Sequence, residues 1–159
     1  MKIVILIGLL FFSLFAQETN LPTELNAWKS LSYVSAAKSD DELSKASLEV
    51  GKASYVGLNK TPKMKYVLRP INEGGTVSYG GIFAINIKEN GTYRVALGNA
   101  SWIDMVQERK SAQSLAHNGG PENSGIRKMV DYNLKAGTCV VQLSAGADST
   151  TAILVTKIK

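Results

Sequence analysis

A single histidine serves the whole chain of 159 residues, and it lies in the stretch richest in reactive side chains. Residues 114–128 read Ser-Leu-Ala-His-Asn-Gly-Gly-Pro-Glu-Asn-Ser-Gly-Ile-Arg-Lys, so His117, Glu122, Arg127 and Lys128 fall among three glycines and a proline. An imidazole titrates near neutral pH and can act as general acid, general base or ligand contact. A guanidinium offers a planar fork to a carboxylate or phosphate, and glycines let backbone approach a ligand closely. Trp102 and Asp104 precede the stretch and Asp131 follows it. The candidate ligand-binding set is therefore Trp102, Asp104, His117, Glu122, Arg127 and Asp131, with His117 the candidate catalytic residue. In the arrangement expected, Asp104 or Asp131 pairs with Arg127 and leaves His117 free to meet the ligand. The plain alternative is surface-loop scaffolding, since Gly, Asn, Ser and Pro fill any loop and His117 can simply satisfy a backbone carbonyl.

Several chemistries lack their parts. Ser114, His117 and Glu122 supply the residue types of a hydrolytic triad, but no nucleophile elbow surrounds the serine. Asp104, Glu122 and Asp131 can be paired as carboxylates on paper, at spacings that specify nothing. One histidine and one cysteine do not make a zinc set, so neither metal nor cofactor is expected. No Gly-rich turn follows a strand and opens a helix, which removes support for nucleotide binding. The net charge of +5 is scattered along the chain, too weak and diffuse to argue for nucleic acid.

The elements that must position these residues announce themselves by alternation. Residues 89–97, Glu-Asn-Gly-Thr-Tyr-Arg-Val-Ala-Leu, and residues 135–143, Lys-Ala-Gly-Thr-Cys-Val-Val-Gln-Leu, share one pattern of turn, Gly-Thr and period-two apolar positions. Each follows a segment that alternates as well, so each reads as a β-hairpin. Cys139, in phase with Val141 and Leu143, reads as an inward-facing small hydrophobe. Further strands are expected at residues 53–58, 65–69, 76–79, 82–88, 102–107, 128–134 and 151–158, with Gly80-Gly81 allowing a bend or bulge. A capping-box pattern at Ser39 and Glu42 predicts a short helix over residues 40–47, and Trp28, Leu31 and Val34 recur at helical spacing upstream. Residues 108–125 read as one long polar loop. The fold class expected is all-β, an antiparallel jelly-roll-like sandwich of eight or nine strands with a short N-terminal helix.

The runs Ser78-Tyr79-Gly80-Gly81-Ile82-Phe83, residues 91–98, Trp102-Ile103-Asp104, residues 116–121 and residues 125–131 resemble a group of small exported bacterial proteins of unknown role. The strand and turn order is also similar to the bacterial pre-peptidase C-terminal domain, a β-sandwich appended to secreted enzymes. Members of the small group carry a cysteine near the position of Asn123, which this chain lacks. Some bear the automated name homogentisate 1,2-dioxygenase. A mononuclear iron site of that kind needs two histidines and a carboxylate, and this chain has one histidine.

At the N-terminus, Met1-Lys2 precedes thirteen nearly unbroken apolar residues, 3–15, and then Ala16. The form is that of a signal peptide, shorter than the roughly 20 residues a membrane-spanning helix needs. The domains expected are a signal peptide at residues 1–16, a helical or extended lead-in at 17–60, and a sandwich at 61–159 forming one domain with the lead-in. That places the protein in the periplasm or outside the cell, with no membrane span after cleavage. With no disulfide available to a lone cysteine, the fold must rest on its core. Two functions stay open. One is a binding module for a small polar or sugar-like ligand or a protein partner; the other is a small enzyme using His117 as acid or base. The mature N-terminus is predicted within about two residues of Gln17. Intact mass of the exported protein checks it, and a mass that retains Met1 would show an uncleaved anchor.

Overall fold

The computed structural model describes residues 20–159, and the expected signal segment and its cleavage point lie outside them. A 3-10 helix at Thr23–Lys29 opens the fold, and two others follow at Asp40–Lys45 and Thr61–Lys63. Twelve strands are present among the described residues: β1 Leu31–Ser35, β2 Ser47–Leu48, β3 Ala53–Gly57, β4 Asn59–Lys60, β5 Tyr79–Ile87, β6 Gly91–Leu97, β7 Trp102–Gln107, β8 Lys110–Ser111, β9 Ser114–Asn118, β10 Lys128–Leu134, β11 Gly137–Gly146 and β12 Thr150–Lys157. Three of these span two residues each, which leaves nine of substantial length.

The strands form two facing sheets, a β-sandwich. The first runs β1-β3-β12-β6-β10-β9; the second runs β2-β5-β11-β7-β8, with β4 also on β5. Pairing is antiparallel except for β1 with β3 and β2 with β5, so the sheets are mixed rather than purely antiparallel. The interior follows from alternation, one face of each strand pointing inward. Val95 and Leu97 of β6 and Val130, Tyr132 and Leu134 of β10 meet Phe83 and Ile85 of β5 and Val141 and Leu143 of β11. Each such side chain, fully buried, contributes about 1.5–3 kcal/mol.

The two expected hairpins are not hairpins. β5 belongs to the second sheet and β6 to the first, and β10 and β11 divide the same way. Each Gly-containing turn is an arch that carries the chain across the core. Alternation cannot tell these cases apart, because a strand crossing to the facing sheet also buries every other residue. Asn90 explains the Asn-Gly pair: its Oδ1 accepts the backbone N–H of Ala136 at 2.8 Å, stapling one arch to the other. β6 then pairs with β10 and β5 with β11, both antiparallel.

Other expectations are corrected too. The capping-box segment forms a 3-10 turn, Asp40–Lys45, in which Ser39 bonds the Asp41 carboxylate and Glu42 accepts from the Lys38 N–H at 3.0 Å. With both side chains spent elsewhere, the reciprocal cap that would start an α-helix is missing. The helical spacing of Trp28, Leu31 and Val34 breaks at Ser30, after which β1 begins. Residues 64–78, expected to supply two strands, form an irregular strap over the outer face of the second sheet. Its bonds go to side chains and isolated carbonyls. The Gln142 amide takes both the N–H and the carbonyl of Leu68, at 3.1 and 2.8 Å, and Tyr66 donates to the Leu143 carbonyl at 3.1 Å. Gly80 makes the second contact fit, since a Cβ there would lie 1.9 Å from the Tyr66 hydroxyl.

Outside the first sheet, Leu21, Leu25 and Trp28 cover Ala53, Ala96, Met129 and Leu154. The Trp28 indole N–H donates to the Ser124 carbonyl at 3.0 Å, fastening the start of the chain to the β9–β10 loop.

Cys139 lies inward, fully buried with Val141 and Leu143, as its phase predicts. Burial pushes its thiol up to about 12, and burial together with the charges of Glu73 and Asp104 does the same to the Tyr66 hydroxyl. Both raised values mean that the fold favours the neutral forms. Their contribution is complete below the ordinary values near 9 and 10 and is lost as pH climbs toward 12. Cys139→Ser is predicted to cost about 1–3 kcal/mol at pH 7 by burying a hydroxyl among apolar neighbours. It should also flatten the loss of stability that begins near pH 9. Denaturant melts from pH 7 to 11 read both effects.

Candidate functional site

A cleft of about 320 Å³ saddles the free edge of β7, where the second sheet stops short and β9 of the first sheet overhangs. β8 pairs only with Val106 and Gln107, so the earlier part of β7 has no strand beyond it. Side chains of the facing sheet take over. Lys128 Nζ donates to the Ser101 carbonyl at 2.9 Å, and the Tyr132 hydroxyl donates to the Ile103 carbonyl at 3.1 Å. Alternation places Lys128, Val130 and Tyr132 on the inner face of β10, and cross-strand pairing puts His117 beside Val130. Trp102 and Asp104 line the cleft from the outer face of β7, and Ile71 of the strap forms its lip.

Trp102, Asp104 and His117 thus come together. The other three candidates do not. Asp131, one position out of phase with Val130, points to the opposite face of the first sheet and is held by Arg94 in a two-pronged pair at 2.8 and 2.9 Å. Glu24 joins that pair at 3.5 Å. Arg127 is exposed, and the expected pairing with Asp104 or Asp131 does not occur. Its backbone N–H instead donates to the Leu97 carbonyl at 2.8 Å. Glu122 is exposed in the β9–β10 loop.

Lys128 was the residue to add. It reaches the cleft because it shares the inward phase of Val130 and Tyr132, a signal present in the sequence but outweighed by the guanidinium next door. Its ammonium stands 5.8 Å from the centre of the Trp102 ring, a cation–π distance.

The long polar loop is also revised. Residues 108–125 contain a tight hairpin, β7 to β8, then β9, so His117 sits on a strand. Glu108 and Arg109 both take positive φ, 48° and 60°, the conformation of a type I′ turn. Such turns favour Asn-Gly, and Glu-Arg gives no hint of one. On β9 the His117 Nε2 lies 3.0 Å from the Ser114 hydroxyl.

The electrostatics centre on Asp104. Only 7% of it is exposed, yet Oδ1 has two long contacts, Ser111 Oγ at 3.2 Å and the Trp102 indole at 3.4 Å. Oδ2 has no hydrogen-bond partner. A carboxylate has about four acceptor positions, so this one is under-satisfied. Burial holds its pKa above the usual carboxylate range, against the opposing pull of Trp102 and Ser111. Burial also lowers that of Lys128. Asp104 in turn adds to the burial that raises the Tyr132 hydroxyl. The buried side-chain atoms without partners among the described residues are Asn99 Nδ2, Ser101 Oγ and Asp104 Oδ2, and of these residues Asp104 lines the cleft. No group of three His, Cys, Asp or Glu side chains able to hold a metal occurs among the described residues.

A raised carboxyl pKa means that ionisation opposes folding, with the penalty growing as pH rises through the folded value. Asp104→Asn is therefore predicted to melt higher than the parent at pH 7. The gap should close on acidification, as the parent carboxyl takes up its proton. Thermal melts between pH 3 and 8 check this, and a lower melting temperature at pH 7 would contradict it.

No protein-family model matches the sequence, and no curated protein matches it. Among solved structures, the chain is similar to the pre-peptidase C-terminal domain of a collagenase from Bacillus anthracis. That likeness has a TM-score of 0.43 and 12% identity, over 69% of this chain and 92% of that one.

Proposed function

We propose that this β-sandwich is an exported binding module that holds a small polar ligand in the cleft between Trp102, Asp104, His117 and Lys128. The observation that carries this reading is the Asp104 carboxylate, buried and left short of partners. A fold gains nothing from such a group, whereas a ligand that donates to it recovers the missing bonds. The indole supplies an apolar face with a polar edge, suited to a ligand that is part hydrocarbon and part hydrogen-bonding group. A rigid strand, rather than a mobile loop, carries each of these residues.

The short contact between Ser114 and His117 favours a second reading, a small hydrolase with serine as nucleophile and histidine as base. Its triad acid is not in place, since Glu122 is exposed in the β9–β10 loop and Asp131 is held by Arg94 on the opposite face. Covalent labelling of Ser114 by a fluorophosphonate would support it.

The binding reading is tested by nuclear magnetic resonance titration of the mature domain with monosaccharides, free amino acids and short peptides. Signals of the Trp102 indole and the His117 ring should move with at least one class. His117→Ala is predicted to hold stability within about 1 kcal/mol, as befits an exposed residue, while weakening that response. A panel that leaves the cleft signals unmoved, or moves only signals elsewhere, would overturn the reading.

A further inference from the structure

We infer that the cleft is built for a zwitterion, a molecule the size of a free amino acid whose ammonium meets Asp104 and whose carboxylate meets Lys128. The inference rests on the reading of the cleft as a binding site and adds the chemistry of its occupant. Asp104 and Lys128 both line it, and they carry opposite charges without forming an ion pair with each other. Neither has a charged partner elsewhere among the described residues. The carboxylate has one oxygen without a bond and two long contacts at the other. The ammonium spends one proton on the Ser101 carbonyl at 2.9 Å and keeps two for a further acceptor.

Two partly desolvated charges held apart in one cleft are costly, and a single ion of either sign relieves one of them only. A ligand with both charges relieves both at once. A neutral sugar brings no charge to either group. The space of about 320 Å³ is at the small end of ligand pockets. Trp102, Ile103 and Val130 give an aliphatic side chain a surface to lie on. His117, opposite Val130 on the neighbouring strand, lines the same cleft.

The test is a titration of the mature domain, followed at the Trp102 indole, with L-leucine, L-leucine methyl ester, N-acetyl-L-leucine and glucose. L-leucine should bind, and each blocked form should bind at least tenfold more weakly. Asp104→Asn should weaken L-leucine while sparing N-acetyl-L-leucine, and Lys128→Met should weaken L-leucine while sparing the methyl ester. The ligand series needs no variant, so a variant that fails to fold leaves the test intact. Equal binding of the blocked and free forms would overturn the inference. Glucose binding without L-leucine would overturn it too while leaving the cleft as a ligand site, and four probes that all leave the indole unmoved would overturn it while the wider panel decides the reading of the cleft.

Discussion

Two sheets with no disulfide between them must be held by what they bury, and much else in this molecule answers to that. Its lone cysteine is itself part of the buried layer. The long strands therefore commit alternate residues to the interior, and successive strands repeatedly cross from one sheet to the other. Polar connections between the sheets are confined to the rim, where the β7 edge would otherwise expose carbonyls with no strand beside them. Lys128 and Tyr132 span that gap from the facing sheet. The cleft thus lies where the sandwich closes: β8 covers only the end of β7, and the side chains that finish that edge line a hollow.

Alternation made most of the individual strands legible. β7 and β10 were expected with the bounds observed, and β3 and β12 within a residue at each end. Connectivity was not legible, because burial phase is indifferent to whether the neighbour across the turn lies beside or opposite. Sheet membership separates an arch from a hairpin here, and it is a tertiary fact. The same holds for residues 64–78, where the backbone of Leu68 is satisfied by the side chain of Gln142, a partner 74 positions away.

For the site, phase was again the useful signal. Trp102 and Asp104 share one face of β7, and correct phasing of β10 separates Lys128 from Asp131 at once. What misled was charge: Arg127 and Asp131 look like partners in a line of text, while Asp131 had a better one in Arg94, its neighbour across β6. Residue types suggested a site centred on His117. Burial moves its centre to Asp104, and burial of a single carboxylate on a strand leaves no trace in composition or spacing.

The place of β12 bears on how the molecule comes into being. The last strand of the chain is an interior member of the first sheet, flanked by β3 on one side and β6 on the other. Until residue 157 is available, β1 and β3 have nothing to attach to in that sheet, and the two halves of its outer face remain apart. Pairings between strands distant in sequence must bear loop-closure entropy before contacts repay it, which places folding in the slow regime of β-sandwiches.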